Sequence, residues 1–275
     1  MDRTVGIEAK FNRADQHIGE LRQRLATFYA TNPYAVGAKR DPDSGRPTYY
    51  IRSVASVPSD IPAIAGDALQ CMRSALDHMA FQLVSIGKPG GASLEHVYFP
   101  IHASDQAYRA NLKGQVGGAR KEALQAISAT RPYKGGNDLL WQLHKMNIVD
   151  KHRLLITAGG SFESVNVMRS MVQHMKLMPP EAIAAFSSMQ LFLRPADKLF
   201  PLKPGDVLFT DGPDAEVDPH MEFRLPVATF EPAVLEPVPL EEFVDRVRRV
   251  VVSVFDTLTP FLAGATWPTT ADLGY

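Results

Sequence analysis

Two segments carry polar side chains at spacings that could do chemistry. Gly66 to Leu83, GDALQCMRSALDHMAFQL, holds Asp67, Arg73, Asp77 and His78. Leu139 to Leu155, LLWQLHKMNIVDKHRLL, holds His144, Asn147, Asp150, Lys151, His152 and Arg153. Histidine can pass a proton near neutrality, a cation can stabilise developing negative charge, and a carboxylate can orient both. At helical spacing the first segment gathers Ala68, Leu69, Met72, Ala75, Leu76 and Met79 on one apolar face. Asp67, Gln70, Ser74, Asp77, His78 and Gln82 share the opposite face, with Arg73 at its edge. That polar face has no Lys or Glu, and its short groups favour defined hydrogen bonds.

In the second segment His144, Asn147 and Lys151 fall on successive turns inside the apolar stripe of Leu140, Trp141, Leu143 and Ile148. Asp150, His152 and Arg153 point toward its flanks and back. A lysine on an apolar face either snorkels or needs a carboxylate, because an unpaired buried charge costs several kcal/mol. The expected partner of Lys151 is Asp77 or Asp67. The two segments thus predict a polar cluster between two helices, serving either as a site or as a structural lock.

Other chemistries find less in the chain. His144 and His152 are eight residues apart, Asp77 and His78 diverge on a helix, and neither HExxH nor ExxH occurs, so no metal is expected. No GxSxG is present, and Cys71 reads as a small buried hydrophobe. The glycines around Lys88–Gly91 and Gly114–Gly118 fit neither a P-loop nor a dinucleotide fingerprint, so no cofactor is expected. His17, His96, His102, His174 and His220 read as surface or packing residues.

The elements that must position the cluster are readable from periodicity and turn chemistry. Thr4 to Thr31 predicts a long helix through Ile7, Phe11, Ile18, Leu21, Leu25 and Phe28, ended by Asn32-Pro33. Two extended runs flank RDPDSGRP and predict a hairpin. Ser59 or Asp60 is expected to cap the first motif helix, and Asn137 or Asp138 the second. Shorter helices are expected over 104–112 and 117–129. After Gly159-Gly160 the runs SVNVMRSMV, MQLFLRP, DVLFT and MEFRLPVATFEP predict strands, and LEEFVDRVRRVVVSVFDTLTPFL a last helix before a loose tail. The fold class expected is α+β: a helical bundle with a hairpin insertion and a strand-rich final third (about 159–238) closed by a helix over about 239–263. The helical part covers about 1–158, and all 275 residues are read as one domain.

Composition bounds the rest. A hydrophobic share of 45% and a charged share of 21% belong to a soluble globular chain. A net charge of −1 gives no overall basic footprint for nucleic acid. The single cysteine allows no intramolecular disulfide. The first residues lack a signal peptide's apolar core and no long apolar run occurs, so the expectation is a cytoplasmic protein without a membrane role.

Gly66-Asp67, Arg73-Ser74-Ala75-Leu76-Asp77-His78, Phe99-Pro100-Ile101, Pro132-Tyr133, Leu140-Trp141, Leu143-His144, Asn147 and Asp150-Lys151-His152-Arg153 together resemble a family of uncharacterised bacterial proteins of similar length. The resemblance runs to about Leu155 and implies a shared fold but no mechanism. Arg73 followed after four residues by His78, inside a helix, is also similar to the signature of HEPN proteins. That second resemblance implies a metal-independent ribonuclease, or a relative that binds RNA or nucleotides, often as a homodimer. Arg73 would stabilise phosphate charge and His78 would act as general acid or base. Ser74 departs from the Asn, Asp or His usual after the arginine. The function expected is a binding or structural module built on the polar cluster, with a HEPN-like ribonuclease using Arg73 and His78 as the alternative.

Overall fold

The computed structural model describes residues 4–88, 95–152, 155–174, 189–196 and 199–262, with the single positions 179, 181 and 186. The long helix α1 (Val5–Ala30) is followed by β1 (Tyr34–Arg40) and β2 (Pro47–Val54), then α2 (Asp60–Gly87), α3 (Asp105–Val116), α4 (Lys121–Ala129) and α5 (Asp138–His152). The remainder holds β3 (Ala158–Gly160), β4 (Ser164–Asn166), α6 (Met168–His174), β5 (Phe192–Leu193), β6 (Val207–Thr210), β7 (Phe223–Arg224), β8 (Val227–Glu231), β9 (Leu235–Pro239) and the closing helix α7 (Leu240–Leu258). The class is α+β, as expected. Helices α1, α2, α5 and α7 pack on one another around a core that includes Phe11, Leu21, Leu69, Met72, Leu143, Phe243 and Phe255. The strands form small antiparallel sheets ordered β1-β2-β6, β3-β8-β9 and β5-β4-β7. A second apolar cluster, with Ile51, Phe162, Val165 and Leu208 among its members, is built from the β1-β2-β6 and β5-β4-β7 sheets, while β3-β8-β9 packs on the main core.

Local chemistry accounts for these elements. The predicted hairpin forms because Asp41 Oδ1 accepts hydrogen bonds from the Asp43 and Ser44 amides and the Ser44 hydroxyl, while Gly45 takes a left-handed φ of 69°. Asn137 caps α5 by accepting from the Leu140 amide, whereas Ser59 precedes α2 without a side-chain cap bond. Ser104 caps α3, which runs four residues beyond the expected end at Leu112.

One segment needs correction. The run SVNVMRSMV was expected to be extended, yet only Ser164–Asn166 is strand and α6 follows at once. The reason is Asn166, whose side-chain oxygen accepts the Met168 amide, a helix-start signal that outweighs the strand preference of valine. The glycine run after Lys88, the end of the second motif and the tail after Leu262 lie outside the described residues.

Candidate functional site

Helix α2 and helix α5 meet through the residues that both motifs single out. A methyl group on Gly66 would stand 2.6 Å from Asp150 Cγ, so glycine lets the Asp150 carboxylate lie directly against α2, and any side chain there would have to push it aside. Farther along α2, the Arg73 charge acts on His144, six residues back from Asp150 along α5. The helices therefore run in opposite senses, with Asp150 near the start of α2 and His144 near its middle.

Arg73 is buried and ion-paired with Asp77 one turn later, its Nη2 lying 3.0 Å from Asp77 Oδ1. The pair is shared with the backbone of Phe99. Arg73 Nη2 donates to the Phe99 carbonyl at 2.9 Å, and Asp77 Oδ1 accepts from the Phe99 amide at 2.9 Å. Burial pushes the Asp77 carboxyl up, against the opposing pull of Arg73 and the Phe99 amide. Burial likewise pulls the Arg73 guanidinium down, against Asp77. Removing Asp77 would leave the Arg73 guanidinium buried without its ion pair, which typically costs about 3–5 kcal/mol.

The expected ion pair of Lys151 is not formed. Lys151 is exposed, and among the described residues no carboxylate lies within ion-pair distance of it. Its charge reaches Asp77 only as a contribution behind those of Arg73 and the Phe99 amide. Arg73 takes the place expected for it, and the signal was available: arginine and aspartate four apart on a helix share a face. Asp150, expected at the flank, instead faces α2 at Gly66, and its carboxyl is pushed up by burial and by neighbouring Asp67. Asp67 itself is exposed. His78 is exposed too, with its ring beside Gly6 of α1, roughly 140° around α2 from Arg73 at the helical repeat. His152 ends α5, and Arg153 lies outside the described residues.

His144 and Asn147 do turn inward, Asn147 being 5% exposed. The His144 imidazole is driven down to about 4, first by burial and then by Arg73, Lys145, His102 and Lys151, all cationic or able to become so. It is neutral at physiological pH and lies in an electropositive surrounding. Arg73 Nη1, Trp141 Nε1, His144 Nδ1 and Asn147 Oδ1 are buried with no hydrogen-bond partner among the described residues.

His102, read as a surface or packing residue, proves to flank this cluster. His102 Nε2 and Gln115 Oε1 share a hydrogen bond of 2.8 Å. The His102 backbone is stitched to the loop after α4, its amide donating to Pro132 O and its carbonyl accepting from the Lys134 amide. Tyr108 stacks at a tilt on Tyr133 with ring centres 5.6 Å apart, and Lys134 Nζ lies 4.6 Å from the Trp141 ring. Isolated histidines and tyrosines give no spacing signal, so His102, Tyr108 and Tyr133 could not be grouped from sequence.

Burial pushes the Cys71 thiol up, away from nucleophilic character. Among the described residues no group of His, Cys, Asp and Glu is arranged to hold a metal, and no helix is long and apolar enough to cross a membrane. Comparison with protein-family models, with curated proteins and with solved structures finds no match to this chain.

Proposed function

We propose that this protein is a binding module that recognises a small polar ligand at the α2–α5 cluster, flanked by residues 99–102 and 131–136. One observation carries the reading: four buried polar atoms, on Arg73, Trp141, His144 and Asn147, have no hydrogen-bond partner among the described residues. A buried donor or acceptor without a partner costs about 1–3 kcal/mol, so a protein that keeps several together has a use for them. The electropositive surrounding of His144 favours an anionic partner, and RNA or a nucleotide is the partner class we assign. A cytoplasmic homodimer is the assembly that accompanies this proposal.

Native mass spectrometry of the purified protein tests it. The wild type should retain a small polar molecule that His144→Leu/Asn147→Leu loses while staying folded. A wild type with no adduct, together with a variant of equal or greater stability, would reduce the cluster to a structural lock.

The ribonuclease reading has the exposed His78 in its favour. It requires Arg73 at the same phosphate, and Arg73 is committed to Asp77 and Phe99. Cleavage of single-stranded RNA in chelator-containing buffer, abolished in His78→Ala, would establish it over the binding module. His78 is exposed, with its ring against the backbone of α1 at Gly6, so its loss should lower thermal stability little.

A further inference from the structure

The cluster has an exposed edge whose chemistry is more particular than its interior. Residues 131–136 form a stiff loop: the Tyr133 and Asn137 amides both donate to the Arg131 carbonyl at 2.8 Å, and the loop is held to His102 on both sides. Arg131 and Gly135 take left-handed backbone angles, φ 49° and 82°, that fix the turn. The exposed Arg131 guanidinium is held beside the Tyr133 ring, 5.9 Å from its centre, with Nε donating to the Tyr133 hydroxyl at 3.4 Å and Nη2 to the Gly135 carbonyl at 3.3 Å. Tyr133 is backed by Tyr108, and the exposed Lys134 by Trp141. The exposed Arg109 adds a third cation that senses the same two tyrosines, with Asp105 at 2.7 Å as its counter-charge. From residue 105 to 145 the chain carries seven Lys and Arg against three Asp and Glu, in a protein of net charge −1.

Cations alone would suit any anion. Here a planar guanidinium and an aromatic ring stand side by side, two flat groups on which a nucleobase stacks while neighbouring cations take its phosphate. We propose that the edge made by Arg109, Arg131, Tyr133 and Lys134 is a nucleoside-phosphate site, taking a free nucleotide or one nucleotide unit of single-stranded RNA. The inference rests on the binding-module reading and names its ligand and the residues that hold it.

The test is fluorescence anisotropy on the full chain, with a labelled single-stranded RNA of about ten nucleotides titrated against salt and then competed with ATP or polyglutamate. Wild type should bind. Arg131→Ala/Lys134→Ala, and separately Arg109→Gln/Lys134→Gln, should weaken binding at least about tenfold and lower the salt slope by about two, while remaining folded by circular dichroism. ATP displacing the RNA efficiently identifies the free nucleotide as the source; RNA resisting ATP identifies the strand. Absence of binding to both probes, folded variants that bind as wild type does, or displacement by polyglutamate as effective as by ATP would each overturn the inference. A different small molecule retained at the α2–α5 cluster would then leave the binding module standing, whereas the absence of any adduct would remove both.

Discussion

A histidine held out of water among Arg73, Lys145, His102 and Lys151 gives up its proton readily, because burial and like charge both disfavour the imidazolium. The consequence for stability has a definite sign. His144 titrates at about 4 in the folded chain and near 6.5 when unfolded, so between those values the unfolded chain binds the extra proton. Stability contributed by neutral His144 is complete above about pH 6.5 and is lost as pH falls toward about 4. The raised carboxyls of Asp77 and Asp150 act in the opposite direction just above their ordinary range. Comparing wild type with His144→Gln in urea cancels them: between about pH 7 and pH 5 the wild type should lose about 2 kcal/mol more than the variant. Equal losses would mean that His144 is not held neutral.

At the scale of elements, the approach of α2 to α5 depends on a missing side chain. Gly66→Ala gains helix propensity but drives a methyl into the Asp150 carboxyl, and overpacking of this kind costs about 1–3 kcal/mol. The net expectation is destabilisation of about 1 kcal/mol, relieved in Gly66→Ala/Asp150→Gly; a denaturant midpoint equal to wild type in the single variant would contradict it. Legibility follows the same physics. The inward turn of His144 and Asn147 was readable because helical periodicity fixes which residues share a face. The partner of Lys151 was misassigned because periodicity says nothing about which of several carboxylates a cation meets across an interface. The hold on Phe99 was hidden for a related reason, since its partner groups are backbone atoms, identical at every position.

The whole molecule closes on its last helix. Phe243, Val247, Val251 and Phe255 of α7 enter the main core, with Phe255 edge-on to Phe11 of α1 at 5.6 Å. Outside that seam Arg22 pairs with Glu241 and Asp245, and Arg248 with Asp15, linking the first helix to the last across the full sequence. The exposed Arg22 pairs contribute about 0.2–1 kcal/mol each and the part-buried bidentate Arg248–Asp15 pair somewhat more, so the apolar seam dominates. A chain ending at Pro239 should therefore lose its cooperative thermal transition by circular dichroism, because α1 and α2 are left with a bare apolar face; a sharp melt in the truncated chain would show the earlier elements to be self-sufficient. The bundle was legible because α1, α2 and α7 each carry a long amphipathic pattern. The final third was legible only as strand-rich: strands of two to five residues, such as Phe223–Arg224 and Val227–Glu231, are too short for alternation to fix their pairing.

Arg73 and Asp77 offer Phe99 one donor and one acceptor, which is what a neighbouring β-strand would offer it. A residue in no regular element is in this way enrolled as a single rung of ladder whose opposite rail is a helix. Its amide should then exchange with deuterium at the pace of the α2 core and far more slowly than the loop amides near it, since freeing it means breaking a buried ion pair. In Asp77→Ala, where the acceptor is gone, that amide should become one of the fastest in its segment.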